Sequence, residues 1–555
     1  MNLPSDFKAA LVEARHLQDE GRLLEAERVY RSLAVPGAHR AIALEALADL
    51  FSRQQRFDEA LDALKTLTRE DRDNLHYSAE LAKLLDAIGQ TDAAIDEYCR
   101  LLRRQPGLAV AHFNLALLYG RLKRYSDAIA AYENAIRLEI DQVEEAYSNM
   151  GVLYSEMEEP DTARKMYERA LETSPDYIPA LFNLAGHFEE TDEKQRSLDL
   201  YERILSIDPN HWDSLARLAY PRTITSEHQE LVDRLEVAVE EAKEDNMTAE
   251  TLHFALGKVF DDLKQYDKAS AAYVAANELG KTRVARYDGL KTERAFSQLI
   301  ELFESEWISQ NTSSSVAAPI FICGMFRSGS TLLEQMLGAH PMVTAGGEIE
   351  VLPRLVGSEL APFPQGVREA SREQLHRVGD IYLSKVRELF PDHKYITDKR
   401  PDNFLHLGLI KVLFPAAKII HTRRKLLDNC LSLYFQQLGN SFSYATDLEN
   451  SAHYYQQQQR LMAHWTSLLG ENIHAVDYEE LVESPEPVIR GLLDYLGLGW
   501  DARVLEFQKT SNAVKTPSLW QVRQDLHTQS SGRWRNYELL VRDVQKMYGS
   551  DEISP

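Results

Sequence analysis

The sequence predicts a multidomain chain in which an all-α repeat superhelix precedes an α/β domain built on a parallel sheet. Three observations lead there. A small residue recurs at Ala26, Ala60, Ala94 and Ala128 in steps of 34, and Ala163 and Ser197 continue the series at steps of 35 and 34. The stretch Pro319–Pro341, PIFICGMFRSGSTLLEQMLGAHP, runs from a short apolar segment through a glycine-bounded loop into a helical pattern. After it, strand-like runs alternate with amphipathic helical ones, the order expected of a parallel sheet. At 555 residues the chain is too long for a single domain.

Composition narrows the class. The apolar content suffices for real cores, and no apolar run is long enough to span a bilayer. The opening MNLPSDFKAALVEARH has neither a basic nor an apolar leader region. Cys99, Cys323 and Cys430 lie far apart and are odd in number, which predicts neither a disulfide framework nor a zinc site. These features together predict a cytoplasmic, reducing location. The net charge of −24 divides into −21 over residues 1–316 and −3 over residues 317–555. An acidic front half argues against nucleic-acid binding; most of that charge is expected on solvated helix faces.

Each small residue of the series sits in a similar phrase, RLLEAERVY, QRFDEALDAL, GQTDAAIDEY, KRYSDAIAAY, EEPDTARKMY and KQRSLDLY, and KQYDKASAAY adds Ala269 about two repeats further on. Phrases such as AHFNLALLYGRL and AYSNMGVLYSEM alternate with these, and Pro106, Pro175 and Pro209 mark handovers between units. This is the tetratricopeptide pattern of a helix–turn–helix unit. One unit cannot bury its apolar face, so copies stack into a superhelix with a concave groove. The stripe Tyr98, Tyr132, Tyr167 and Tyr201 is expected in the helical core. Asn114, Asn149 and Asn183 recur at one place in the first helix and are expected to line the groove as a surface for a protein or peptide partner. The repeat array is assigned to residues 1–280. A helical connector and a polar linker, Asn311 to Ser315, fill 281–316, and the α/β domain takes 317–555.

In the α/β domain, Ile320 to Cys323 is a buried strand, and Ser330-Thr331 opens a helix with Leu332, Leu333, Met336 and Leu337 on one face. Loop N–H groups and the helix N-terminus make a phosphate cradle. Gly324 and Gly329 match GxxxxGK[ST], but Ser330 stands where the lysine of an NTPase belongs, and the cation sits inside the loop at Arg327. That substitution points to a phosphate-type ligand held by arginine, N–H groups and hydroxyls with no metal required. Gly346-Gly347-Glu348 predicts a tight turn that brings Glu348 to the cradle mouth. Residues 367–389 are predicted helical. Strands are predicted at Tyr395–Pro401, which ends in the basic pair Lys399-Arg400, at Lys418–Arg424 and at Asn472–Tyr478, and their carboxyl ends are where an open parallel sheet binds ligands.

The loop Arg327-Ser328-Gly329-Ser330-Thr331 resembles the 5′-phosphosulfate loop of sulfotransferases, and further motifs resemble protein-tyrosine sulfotransferases over roughly residues 317–540. The resemblance implies a P-loop-like α/β sulfotransferase domain that moves a sulfuryl group from 3′-phosphoadenosine 5′-phosphosulfate (PAPS) to an acceptor hydroxyl. It implies that Arg327, Ser328, Gly329, Ser330 and Thr331 hold the 5′-phosphosulfate. Arg424 and Ser432, eight residues apart, resemble the 3′-phosphate site, with Arg423 the alternative arginine; Lys425 departs from the acidic residue frequent there. Tyr478, in Asp477-Tyr478-Glu479-Glu480-Leu481, and Arg533, in Gly532-Arg533-Trp534-Arg535, are implied as nucleotide contacts. Ser518-Leu519-Trp520-Gln521-Val522-Arg523 resembles the S-x-x-Q-V segment, which makes Ser518 catalytic and Arg523 a cofactor contact. Glu348 matches the family's base, and Lys399 its partner at the leaving phosphate. His340, His406 and His421 are the alternative bases. Sulfuryl transfer resembles phosphoryl transfer, with catalysis by positioning and charge stabilisation. The acceptor stays open among a protein tyrosine, a saccharide, a lipid and a small molecule. Gly439 to Tyr444 is expected either as a lid over it or as a surface loop. Two other classes remain at this point: a repeat scaffold without catalysis, and a P-loop kinase or NTPase.

Overall fold

In the computed structural model, which describes residues 4–37, 39–71, 74–391, 393, 395–509 and 530–549, every small residue of the repeat series is fully buried. Ala26, Ala60, Ala94, Ala128, Ala163, Ser197 and Ala269 have no exposed surface, because each lies where two helices approach most closely. The chain divides into two units, Met1–His187 and Phe188–Pro555.

The first unit is a series of helix pairs: Ser5–Asp19 with Leu23–Leu33, Arg40–Arg53 with Phe57–Glu70, Leu75–Ala87 with Thr91–Arg104, Ala109–Arg121 with Tyr125–Arg137, and Val143–Glu156 with Pro160–Thr173. The turn inside each pair repeats as faithfully as the core. Gly21, Gln55, Gly89, Lys123 and Glu158 all take positive φ. The next residue's N–H closes a six-residue bond back into the first helix, Arg22 to Leu17, Arg56 to Phe51, Gln90 to Leu85, Arg124 to Tyr119 and Glu159 to Tyr154. This is the C-cap geometry that satisfies terminal carbonyls. Tyr98 and Tyr132 are buried as expected. The recurring asparagines are tied to this framework: Asn114 hydrogen-bonds the Tyr98 side chain, Asn149 that of Tyr132, and Asn183 Nδ2 donates to Ser148 Oγ at 3.3 Å.

The second unit contains further helices and a five-stranded sheet. Its strands are β1 (Ile320–Gly324), β2 (Val343–Ala345), β3 (Tyr395–Lys399), β4 (Lys418–Arg423) and β5 (Ile473–Asp477). They pair in the order β2-β3-β1-β4-β5, all parallel, with Ile322 opposite Lys399 on one side and Ile420 on the other. The chain moves from β1 toward β2 but from β4 toward β5, so the crevice between the carboxyl ends of β1 and β4 is the switch point where such sheets take ligands. The predicted helix 367–389 is broken: Gln365–Glu369 ends before Ser371, whose side chain caps Arg372–Leu389 by accepting from Gln374 N–H. The polar stretch Asn311 to Ser315 lies against the sheet domain, with Ser313 N–H donating to Val412 O at 2.8 Å and Ser313 Oγ to Leu413 O at 2.7 Å. Phe296, Leu299 and Leu302, from the helix Gly289–Leu302, and Phe303 just after it join the core formed by Phe321, Leu352, Phe414 and Trp465. Among the described residues, no helix is long and apolar enough to cross a membrane.

The repeat packing yields a test. A Cβ at Gly151 would lie 2.4 Å from the Tyr167 ring. Gly151→Ala gains about 1 kcal/mol of helix propensity but overpacks by about 1–3 kcal/mol. The expected outcome is a lower urea midpoint with an unchanged slope; a raised midpoint contradicts this packing.

Candidate active site at the carboxyl ends of the strands

The cradle is set by how closely β1 and β4 approach. A Cβ on Gly324 would lie 2.3 Å from Thr422 O, so only glycine fits. Ser328 Oγ then donates to Met325 O at 2.6 Å and shares a hydrogen with Thr422 Oγ1 at 2.7 Å, while Thr422 Oγ1 lies 3.2 Å from Cys323 O. The Ser328 hydroxyl thus ties the loop to β4. Gly329 takes φ +95° at the N-cap of the helix Ser330–Gly338, a conformation costly for other residues, and a Cβ there would strike Tyr478 at 2.6 Å. Ser330 and Thr331 begin the helix, both buried.

The predicted cation set converges on this loop. Arg327, at φ +69°, directs Nε to Ser432 Oγ at 3.1 Å. Arg424 donates through Nη1 to Arg327 O at 3.0 Å and through Nη2 to Ser530 O at 2.7 Å, and its guanidinium lies 4.7 Å from the Tyr478 ring centre. Burial and the neighbouring Arg424 push the Arg327 pKa down to about 10, which still leaves it charged at neutral pH. Arg423 faces elsewhere, in a two-bond pair with Asp477 at 2.7 and 2.6 Å. Of the two arginines, Arg424 is therefore the one beside Arg327 and Ser432. Arg533 lies close enough to Arg327 to repel it, and donates to Asp261 at 2.5 Å. Ser518 and Arg523 lie outside the described residues.

Glu348 and Lys399 meet at the ends of β2 and β3. Lys399 Nζ donates to Glu348 Oε1 at 2.8 Å; the lysine side chain is 1% exposed and the glutamate 40%. The carboxylate is open to an incoming group while its partner is fixed beneath. Of the alternative bases, His421 is buried in β4 against Gln458 at 3.2 Å and pushed down to about 3 by burial and by Arg423. His406 is buried and pushed down to about 4, chiefly by burial. His340 Nε2 sits 2.9 Å from Gly499 O. The 439–444 segment packs onto the cradle loop, with Phe442 against Phe326 at 4.4 Å and Tyr444 stacked on Tyr454 at 4.0 Å.

Three carboxylates escaped the sequence reading. Glu334, buried on the cradle helix, accepts from Thr397 Oγ1 at 2.7 Å and Gly347 N–H at 3.0 Å. It thereby links the cradle to the Glu348 turn and β3. Burial raises its pKa, and Lys399 opposes that rise. The signal in the sequence is a helix start, STLLEQML, that is buried on every side. Asp428 accepts from Gly532 N–H at 2.5 Å and Trp534 N–H at 3.0 Å and so places the Arg533 segment. Asp398 accepts from Tyr382 OH at 2.9 Å and Asn403 Nδ2 at 3.2 Å, and burial raises its pKa to about 7 despite both bonds.

The Asp398 shift sets a pH dependence. Its folded pKa is above the ordinary carboxylate value, so its contribution to stability is full at low pH and is lost as pH rises from that range through about 7, by up to about 1.4 kcal/mol per pH unit. Asp398→Asn is expected to match the unaltered chain in urea midpoint near pH 4 and to exceed it at pH 8. A constant difference across that range contradicts the assignment.

Residues 319–502 match the model of the sulfotransferase family, and residues 11–75, 109–140 and 144–177 match tetratricopeptide-repeat models. An uncharacterized protein of Aquifex aeolicus (strain VF5) is 36% identical over 330 residues, 57% of this chain and 43% of that protein. Protein-tyrosine sulfotransferase A of Caenorhabditis elegans is 29% identical over 206 residues, 34% of this chain and 52% of that protein. The chain therefore spans about half the length of these relatives. Among solved structures, the sulfotransferase domain from the Synechococcus PCC 7002 olefin synthase is 21% identical, covering 43% of this chain and 98% of that one at a TM-score of 0.33. The chain carries tetratricopeptide repeats and, toward its C-terminal end, a sulfotransferase-family domain.

Proposed function

We propose that the protein is a sulfotransferase that uses PAPS and delivers the sulfuryl group to a hydroxyl, with a protein or peptide tyrosine as acceptor. The observation that carries this reading is the cluster at the β1–β4 crevice, where Arg327, Ser432, Arg424 and Tyr478 meet around the loop. Arg424 Nε is buried there with no hydrogen-bond partner among the described residues. A buried, unsatisfied guanidinium N–H beside a second arginine is costly unless an anion completes it. That donor set fits a phosphate-type ligand.

In this reading the loop N–H groups, Arg327, Ser330 and Thr331 hold the 5′ end, and Arg424 with Ser432 holds the 3′-phosphate. Tyr478, packed against Gly329 and under Arg424, shapes the floor. Bound there, PAPS supplies the sulfuryl group and leaves as adenosine 3′,5′-bisphosphate. The exposed Glu348 carboxylate takes the acceptor hydroxyl proton. Lys399, buried beneath, orients Glu348 and offers positive charge toward the leaving oxygen. The names of the curated relatives favour tyrosine, and repeat arrays of this kind offer concave surfaces to protein partners.

Calorimetric titration of adenosine 3′,5′-bisphosphate without magnesium tests the cofactor. The unaltered chain is expected to bind, and Arg327→Ala to bind at least about tenfold more weakly, as for the loss of a charge-assisted bond. No binding by the unaltered chain overturns the reading, and magnesium-dependent nucleotide hydrolysis would replace it. Glu348→Gln is expected to bind the bisphosphate as the unaltered chain does while losing about a hundredfold or more of transfer from labelled PAPS to tyrosine peptides. Undiminished transfer removes Glu348 as the base.

A further inference from the structure

Helices that the repeat pattern continues into, Asn246–Asp262 and Tyr266–Arg283, reach the cradle from outside the sheet. Asp261 accepts twice: from Arg533 Nη2 at 2.5 Å and from the Tyr537 hydroxyl. Tyr273 stacks on Phe435 at 3.8 Å, and the Arg533 guanidinium lies 5.0 Å from the other partner of that stack. Asn277 Nδ2 donates to Tyr434 O at 2.8 Å, which satisfies a terminal carbonyl of the helix Leu426–Tyr434. That helix carries Ser432 and Asp428. The repeat-like pair thus grips both the helix that presents Ser432 and the segment that presents Arg533.

The charges give this grip a purpose. Arg327 is already disfavoured by burial, by Arg424 and by Arg533. Three cations at one place repel each other when no anion is bound. The Asp261 carboxylate offsets part of that repulsion; burial disfavours the Arg533 charge, yet Asp261 holds its pKa above the usual value. Asp261 meets Arg533 at the edge of the cradle, where it fixes the guanidinium without occupying the loop.

We propose that Asp261 is a positioning residue for the nucleotide site: it holds Arg533 in place for the ligand's phosphate, so the cradle is complete only with the repeat-like helix pair attached. The inference rests on the PAPS reading, and the experiment separates the two. Adenosine 3′,5′-bisphosphate is titrated into the full-length chain and into Arg327→Ala, Arg533→Ala, Asp261→Asn, Tyr537→Phe and the double variant Asp261→Asn/Arg533→Ala, with thermal unfolding measured in parallel. Asp261→Asn is expected to weaken binding about tenfold, and Tyr537→Phe, which keeps the carboxylate, about threefold. In the Arg533→Ala background Asp261→Asn is expected to change affinity less than about twofold, because residues that act through one contact are not additive. A merely structural role would instead multiply the two losses. Multiplied losses overturn the inference, as does unchanged binding by Asp261→Asn. If that variant does not fold, unchanged binding by Tyr537→Phe overturns it. Binding by the unaltered chain that Arg327→Ala loses keeps the PAPS reading standing in either event; no binding by the unaltered chain overturns both.

Discussion

The approach of Gly324 to the Thr422 carbonyl is the constraint on which the site depends. Because no side chain fits between them, the ends of β1 and β4 lie close enough for Ser328 to bond Thr422 and for the loop to turn beneath Arg424. The roles of the two arginines at the end of β4 then follow from strand position. Arg423, last in β4, points to β5 and is neutralised by Asp477. Arg424, one residue beyond the strand, turns back over the loop. Adjacent residues at a strand end face opposite ways, so one arginine becomes structural and its neighbour is left for a ligand.

The site is electrostatically divided. On the β1–β4 side, Arg327 bonds the Ser432 hydroxyl and Arg424 bonds backbone carbonyls, while Arg424 Nε is buried with no partner among the described residues. On the β2–β3 side, Lys399 is matched by Glu348, with Glu334 buried close by. Glu334 belongs to the cradle helix yet accepts from Thr397 and Gly347, and so ties that helix to β3 and to the Glu348 turn. The cradle helix and the Glu348 turn are joined by one buried carboxylate, which packing in an apolar helix keeps out of water.

The repeat framework and the sheet domain meet the same requirement differently. Repeats bury Ala and Tyr at fixed intervals and close each turn with a left-handed residue, so local pattern alone suffices. The cradle assembles residues 327, 424, 432 and 478, whose proximity no local pattern encodes; the parallel sheet brings their segments together at the carboxyl ends of β1 and β4.

Much was legible in the sequence. Repeat register, the strand–loop–helix at 319–341 and, to within two residues, the strands β3, β4 and β5 announce themselves through spacing, since spacing reflects helix and strand periods and chain-local turns; Arg424, Ser432 and Tyr478 were marked by the resemblance to sulfotransferases. Hidden in it were Glu334, Asp398, Asp428 and Asp261, each an ordinary acidic residue in a helix or strand until its neighbours are known. The asparagines of the repeats, expected along the groove, show in the structure that two of them also bond tyrosines of the stripe. Both architectures and the residues of the cradle loop can be read along the chain, because those depend on short-range geometry. Which arginine faces the loop, which carboxylates are buried near it and which helices pack against it emerge from the folded chain alone, because burial and charge pairing are set by residues up to hundreds of positions apart, as Asp261 and Arg533 are.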